Sequence, residues 1–132
     1  GSGHLICTVS AAGLLTMLGA APYSATKHAA LGFAEWLAAT YAHRGITVQA
    51  ICPQGVNTPM LAGSPRAAGM ILGASAITPE AVADAVMAGI AEGHFLILPH
   101  PEVAAMYAGR ATDPGRWLRG MNKLQRKIEE VS

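Results

Sequence analysis

Three short apolar runs along the chain alternate with longer stretches in which apolar residues recur every three or four positions. The short runs are HLICTV at residues 4–9, ITVQAIC at 46–52 and HFLILP at 94–99. They are apolar runs more than alternating ones, which is typical of parallel strands covered on both faces. Each run therefore predicts a buried strand.

Two helices are predicted in the stretches between these strands. The first follows Pro22, runs from about residue 23 to 43 and stops before Gly45, a residue type that suits the position after a helix end. The second is capped by Thr78 and runs from residue 79 until Gly93 ends it. Its spacing predicts a buried face made of Val82, Val86, Met87 and Ile90.

The order strand, helix, strand, helix, strand indicates an α/β fold. Right-handed crossover helices on a parallel sheet produce this order, so we predict a partial Rossmann-like, doubly wound parallel sheet with about three strands. Open sheets of this class usually contain five or more strands. We therefore expect the remaining strands to belong to an amino-terminal half of the same domain.

Residues 54–77 are rich in glycine, alanine and proline and predict a loop. The segment is too long and too apolar for a simple connector, and long loops of this kind in compact domains often act as functional lids. Two interpretations stay open, closure over an apolar substrate and simple packing. Both rest on the same apolar side chains, Met60, Leu61, Met70, Ile71 and Leu72.

The composition is that of a folded protein, since 52% of the residues are hydrophobic and only 13% are charged. With so few charges, we expect the chain to bury apolar surface against another subunit or the rest of its own domain. No apolar run reaches the roughly 18 residues of a membrane span, which predicts a soluble protein. Cys7 and Cys52 lie at or near strand ends and predict buried free thiols, ahead of a disulfide or a metal site, which suits the reducing cytoplasm.

The end of the chain, residues 100–132, is predicted to be a basic amphipathic helical extension that follows a catalytic unit at residues 1–99. From residue 110 onward it holds six Lys or Arg residues and three acidic ones, while the whole chain has a net charge of +1. Apolar residues recur there at helical spacing, so the charges are interpreted as a solvated helix face and not as a nucleic-acid site. The apolar positions are Trp117, Leu118, Met121, Leu124 and Ile128.

Tyr23 and Lys27 lie four residues apart at the start of the first predicted helix, so both side chains project from one face. Tyrosine is a weak acid at neutral pH, and a nearby ammonium group stabilises its phenolate. Ser10 follows the first strand and is expected at the same sheet edge, where its hydroxyl can bind a substrate oxygen. These three groups can move a proton at an alcohol or carbonyl oxygen, but hydride transfer requires a cofactor.

Ser10, the spacing of thirteen residues to Tyr23 and the stretch YSATKHAALGFAEWLAATYAHRGITVQAICPQGVNTPM resemble the second half of a short-chain dehydrogenase/reductase, over about residues 3–98. The resemblance implies reversible hydride transfer between NAD or NADP and a small-molecule alcohol or carbonyl substrate. It implies that Ser10 positions the substrate oxygen and that Tyr23 is the general acid and base. Lys27 would stabilise the phenolate and bind the nicotinamide ribose, and Tyr23 would also contact the cofactor.

The resemblance also assigns cofactor contacts to the loop after the second strand. Pro53, Gly55, Val56 and Thr58 would hold the nicotinamide, with the backbone of Val56 and the hydroxyl of Thr58 binding its carboxamide. The family pattern Pro-Gly-x-Val-x-Thr is changed here, because Gln54 occupies the glycine position. The family's glycine-rich phosphate loop has no counterpart in these residues, so the alternative is an inactive fragment or an interaction module that cannot bind cofactor alone.

The long helix of this family commonly packs against its copy in a dimer or tetramer. We therefore expect a homo-oligomer formed through the helix at residues 23–43. No metal site is predicted, because the histidines lack the spacing of metal ligands with one another or with the cysteines. The small and aromatic residues that would form the helix contact are Ala25, Ala29, Gly32, Phe33 and Trp36.

Overall fold

The computed structural model describes residues 1–131, apart from the side chains of residues 66–67, and contains a parallel sheet. The sheet consists of β1 (Gly3–Thr8), β2 (Ile46–Ile51) and β3 (Leu96–Ile97), in that spatial order. Both strand pairs are parallel, so crossover helices must connect them. The predicted partial Rossmann-like α/β sheet is confirmed.

β2 is the covered central strand, whereas β1 is open to solvent. Val48 and Ala50 of β2 are buried, but Leu5 and Ile6 of β1 are 47% and 38% exposed. Neighbouring residues of a strand point to opposite faces, so both faces of β1 are uncovered within residues 1–131. The prediction that the first run is a buried strand is therefore wrong for β1, because the elements present cover β2 and Ile97 of β3 but leave β1 exposed.

β3 is shorter than the run from which it was predicted. Only Leu96 and Ile97 pair with β2, through hydrogen bonds from Ala50 N to Phe95 O (2.8 Å) and from Cys52 N to Ile97 O (2.9 Å). Pro99 follows soon after and has no N–H to extend the ladder. The strand is present as predicted, but the run of six residues overstates its length.

Six α-helices accompany the sheet in the part of the chain that is described. The first long helix is confirmed, and its buried apolar residues Leu31 and Ala34 pack in the core with β2. Gly45 and Gly93, which follow the two predicted helices, adopt left-handed conformations with φ of +78° and +75°. The helices are α1 (Ala21–Tyr41), α2 (Pro59–Ala62), α3 (Arg66–Leu72), α4 (Pro79–Glu92), α5 (Glu102–Thr112) and α6 (Pro114–Glu130).

The buried face of α4 differs from the predicted one at Met87, which is 66% exposed. Gly89 is the buried residue of this helix and packs against Ile97 of β3. Val82 and Val86 lie seven and three positions before it, on the same face, whereas Met87 is two positions away and points outward. The absence of a side chain at Gly89 thus decides which face of α4 meets the sheet.

The predicted loop at residues 54–77 contains α2 and α3, so its description as a loop is wrong. Thr58 caps α2 by accepting a hydrogen bond from Leu61 N (3.4 Å), and Pro59 is the first helical residue. Thr78 and Pro79 start α4 in the same way, with Ala81 N donating to Thr78 Oγ1 (3.1 Å). The same start signal was present at both places.

The end of the chain forms two helices. Asp113 separates α5 from α6 and caps α6 by accepting a hydrogen bond from Arg116 N (2.9 Å). The amphipathic character of α6 is confirmed by its buried Ile128, but Leu118 is 58% exposed and does not belong to the apolar face. None of the helices within residues 1–131 combines the length and apolar character that crossing a membrane requires.

The division of the chain at residue 99 stays a prediction. Val103 of α5 is fully buried and belongs to the same hydrophobic core as the sheet and α1. The carboxyl-terminal helices therefore contribute to the core beside the edge of the sheet at which β2 and β3 end. This core consists of Val9, Ala11, Leu14, Leu31, Ala34, Val48, Ala50, Cys52 and Val103.

Candidate active site

Ser10 lies where β1 ends, against the end of β2. The residues on either side of it donate backbone hydrogen bonds to that strand end, Val9 N to Ile51 O and Ala11 N to Pro53 O, each at 2.8 Å. Ser10 Oγ accepts a hydrogen bond from Ala12 N (3.1 Å) and so caps the short 3-10 turn that follows. The hydroxyl can rotate, so its hydrogen is free to be donated to another acceptor.

The turn after Ser10 packs directly on the first turns of α1. A Cβ atom at Gly13 would lie 2.8 Å from the backbone oxygen of Lys27, which is closer than real Cβ contacts. Only glycine therefore permits this approach of two backbones. The contact places the turn that begins at Ser10 against the backbone of Lys27.

Tyr23 and Lys27 meet on one face of α1, as their spacing indicates. The Nζ atom of Lys27 lies 5.5 Å from the centroid of the Tyr23 ring. Tyr23 is 37% exposed and Lys27 is half-buried, so the phenol is accessible to a small molecule. The structure thus brings Tyr23 and Lys27 together and, through Gly13, brings the turn of Ser10 to them.

Ser24, which the sequence gave no reason to single out, fixes the chain that leads into α1. Its hydroxyl accepts a hydrogen bond from Met17 N (2.9 Å) and donates one to Met17 O (3.4 Å). The residue is 8% exposed, so these bonds satisfy a buried polar group. Ser24 thereby anchors the connection between Ser10 and Tyr23 at the residue next to the phenol.

Cys52 lies beneath Ser10 as a fully buried free thiol, as its position predicted. Burial raises the pKa of this thiol to about 11, and a hydrogen bond with the backbone of Ser10 partly opposes that shift. The thiol is therefore neutral at physiological pH and is not a nucleophile. Cys7 is also a free thiol and is half-buried.

The loop that follows β2 is held from one side. Val56 forms a parallel bridge with Ile77, in which Asn57 N donates to Ile77 O (2.8 Å) and Ile77 N donates to Gly55 O (3.1 Å). In this pattern the N–H and C=O of Val56 itself point away from Ile77. The backbone of Val56 is therefore presented on the opposite side of the loop.

Gly55 and Thr58 also have structural tasks in this loop. A Cβ atom at Gly55 would lie 2.4 Å from the backbone oxygen of Leu72, so the glycine permits α3 to end against the loop. Thr58 Oγ1 accepts the capping bond from Leu61 N, which leaves its hydroxyl hydrogen to donate elsewhere. The cofactor contacts assigned to these residues stay predictions.

Arg110 ties α5 to α1 and to the turn after Ser10. Its Nη1 donates to the backbone oxygens of Leu14 and Leu15, and to His28 Nε2 at 3.0 Å. His28 Nδ1 in turn donates to Ser24 O (2.8 Å). His28 therefore links Arg110 to the backbone of α1, one residue from Lys27.

Metal ligands are not clustered in the part of the chain that the structure describes. Within residues 1–131, no three histidine, cysteine, aspartate or glutamate side chains come together as a metal ion would require.

Comparison with known proteins gives a family match over residues 1–68, to a family described as short chain dehydrogenase. A putative ketoacyl reductase of Streptomyces coelicolor is 45% identical over 62 residues, which are 47% of this chain and 24% of that protein. The 1-deoxy-11-beta-hydroxypentalenate dehydrogenase of Streptomyces exfoliatus is 35% identical over 101 residues, which are 75% of this chain and 36% of that protein. The chain thus spans well under half the length of these two relatives.

A solved structure extends the similarity to most of the chain. The short chain dehydrogenase/reductase from Burkholderia phymatum, in complex with NAD, superposes with a TM-score of 0.71 at 25% identity. The match covers 86% of this chain and 48% of that one. The arrangement of the sheet and helices is therefore shared beyond the part of the chain that the family match covers.

Removal of the Cys52 thiol should reduce the loss of stability at high pH. The folded thiol has a pKa of about 11 against an ordinary 9.0, so the folded state keeps a proton that the unfolded state releases between these values. Its stabilising contribution is complete below about pH 9 and is lost as the pH rises toward 11. Urea unfolding from pH 7 to 10.5 should show the advantage of the wild type over Cys52→Ala falling by roughly 1 kcal/mol per pH unit above pH 9.

Cys7→Ala is the matched control for this measurement, because its thiol is only half-buried. It removes a thiol that is not fully buried, so comparison of the two variants separates the effect of burial from the loss of a thiol. Parallel curves for Cys52→Ala and the wild type would contradict the assignment of the shift to the buried thiol.

Proposed function

This chain belongs to the short chain dehydrogenase family, and we propose that it forms the catalytic, substrate-side half of an oxidoreductase. The proposed enzyme uses NAD or NADP and interconverts a small-molecule alcohol and the corresponding carbonyl compound. The observation that carries the proposal is the Tyr23 and Lys27 pair, which meets on α1 beside the turn of Ser10. The two free thiols suit an enzyme of the reducing cytoplasm.

In the proposed mechanism Tyr23 exchanges a proton with the substrate oxygen. The phenol is accessible and lies at the start of a helix that Ser24 fixes in place. The ammonium group of Lys27 stabilises the phenolate form, which makes proton transfer in either direction easier near neutral pH. Ser10 donates its hydroxyl hydrogen to the same substrate oxygen and stabilises the negative charge that develops there.

The loop after β2 suits the nicotinamide end of the cofactor. Val56 presents one N–H donor and one C=O acceptor away from Ile77, and Thr58 has one hydroxyl hydrogen left to donate. A carboxamide group likewise carries one acceptor and one amino donor, so this set of atoms fits it. Pro53 and Gly55 would complete the loop, Lys27 would bind the ribose, and the nicotinamide when bound supplies or accepts the hydride.

The phosphate end of the cofactor has no partner that we can assign within these residues. Pyrophosphate groups in dinucleotide-binding folds sit at the amino end of a helix that follows a glycine-rich loop. The exposed outer edge and both exposed faces of β1 suit the addition of further strands and helices that would carry such a loop. The second candidate is therefore that these 132 residues by themselves are inactive, as a fragment or an interaction module.

Cofactor binding by the 132 residues distinguishes these two candidates. We expect titration with NADH and NADPH, followed by nicotinamide fluorescence, to show weak binding or none, because the pyrophosphate contacts are not formed. The same titration on the chain joined to an amino-terminal half from a relative should give saturable binding. Saturable micromolar binding by the 132 residues alone would contradict the need for a further half.

The role of Tyr23 is tested in such a joined, active enzyme. Tyr23→Phe should lower kcat by about 100-fold or more while the dissociation constant of the cofactor stays nearly unchanged, because only the proton donor is lost. Tyr41→Phe is the matched control, since it removes a hydroxyl from the other end of the same helix. Turnover retained by Tyr23→Phe would refute the proposed role.

We also propose that a second copy of the chain covers the exposed side of α1. Phe33 and Trp36 are 58% and 52% exposed, and their rings are stacked with centroids 6.0 Å apart. Ala25, Ala29 and Gly32 are exposed beside them and are small enough for two helices to approach closely. The resulting contact would remove two large aromatic side chains from water.

Sedimentation velocity tests this contact. Trp36→Lys should convert an oligomer into a monomer, since a lysine would have to be buried against its symmetry copy. Met87→Lys provides the control, because Met87 is also a large exposed apolar residue, at 66%, but lies on α4. A Trp36→Lys protein that sediments like the wild type would exclude α1 as the interface.

A further inference from the structure

His100 is a buried histidine that joins two segments bordering the proposed substrate site. It follows β3 and is only 2% exposed. Its Nδ1 accepts a hydrogen bond from Gln54 N (3.0 Å), and its Nε2 lies 3.0 Å from Ser75 O. A backbone N–H can only donate and a carbonyl can only accept, so the ring is neutral and carries its proton on Nε2.

The two residues that His100 joins, Gln54 and Ser75, lie at the two ends of the segment that contains α2 and α3. We call residues 59–75 the lid segment, which contains α2 and α3. Gln54 precedes the lid segment and Ser75 is its last residue, and their side chains also approach, with Ser75 Oγ 3.5 Å from Gln54 Oε1. The Val56 and Ile77 bridge lies next to this point, so both ends of the lid segment are held at one place.

His100 is itself held by the core. Its carbonyl oxygen accepts a hydrogen bond from Val103 N (3.1 Å), and Val103 is fully buried. Three residues before His100, Ile97 accepts a hydrogen bond from Cys52 N, which fixes the chain to β2. The imidazole is therefore held in place between the loop after β2 and the end of the lid segment.

The lid segment itself is much less firmly packed. Met60 is 78% exposed and Met70 is 48% exposed, whereas Ala68 is buried. A segment with exposed apolar side chains and firmly held ends can move as one unit while its anchor stays in place. Its flexible methionine side chains suit contact with an apolar substrate of variable shape.

We propose that His100 is a positioning residue of the substrate site, which rests on the proposed function of the chain. By accepting from Gln54 and donating to Ser75, it sets the end of the lid segment at a fixed distance from the loop that carries Val56 and Thr58. An apolar residue of the same size would leave the part-buried N–H of Gln54 and C=O of Ser75 without this partner. The closed position of the lid segment over a carbonyl substrate is therefore set by the imidazole.

Two conservative replacements separate the two hydrogen bonds. In His100→Asn the Oδ1 atom takes the place of Nδ1 and can accept from Gln54 N, but the side chain is too short to reach Ser75. In His100→Gln the Nε2 atom takes the place of the ring Nε2 and can donate to Ser75 O, while the acceptor for Gln54 N is lost. His94→Asn, at an exposed histidine, is the control for the general effect of the change.

Hydrogen exchange of the 132-residue chain gives a readout that needs no activity. We expect His100→Asn to accelerate exchange at Ala76 and Ile77 by roughly ten-fold or more, with Gln54 still protected. His100→Gln should accelerate exchange at Gln54 and leave Ala76 and Ile77 closer to the wild type. A uniform acceleration throughout the chain in both variants, or no change in either, would overturn the proposal.

Kinetics of the joined, active enzyme give the second readout. His100→Asn should raise KM for the carbonyl substrate several-fold more than it lowers kcat, with the cofactor dissociation constant unchanged. Equal losses in kcat with KM unchanged would overturn the positioning role. If the joined enzyme has no activity, the proposed function fails, while the exchange experiment still decides whether His100 holds the lid segment.

Discussion

The parallel pairing of β2 with a strand on each side is the constraint on which the rest of this structure depends. The carboxyl ends of parallel strands lie at the same end of the sheet. The residues that follow β1, β2 and β3 are therefore brought together, although they are far apart in the sequence. Ser10, Pro53 and His100 all follow strands in this way. If one strand ran in the opposite direction, one of these three positions would lie at the other end of the sheet and the three would no longer be close together.

Glycine and hydroxyl groups then refine what the sheet brings together. Gly13 lets the turn of Ser10 approach the backbone of Lys27, and Gly55 lets the loop after β2 meet the end of α3. Ser24 holds the connection into α1 through both its donor and its acceptor. These residues touch no proposed reacting atom, yet they determine where the phenol, the ammonium group and the backbone of Val56 lie relative to one another.

Much of this arrangement was predictable because it rests on local rules. The spacing of Tyr23 and Lys27 places them on one helix face whatever the surroundings, and Gly45 and Gly93 mark helix ends through their own conformation. The helices α2 and α3 were not predicted, although Thr58 and Pro59 carry a helix start signal, because the glycines and prolines around them favoured a loop. The exposure of Met87 and the burial of His100 could not be predicted, because both depend on packing between residues that are distant in the sequence.

The open edge of β1 has a consequence for how this chain behaves in a cell. β1 pairs with β2 on one side only, so its outer edge presents a row of backbone donors and acceptors flanked by the exposed side chains of Leu5 and Ile6. Such an edge is a template for the addition of any extended segment, whether native or foreign. Residues 1–131 on their own would therefore be prone to pair with other chains through β1, although the central strand β2 is covered.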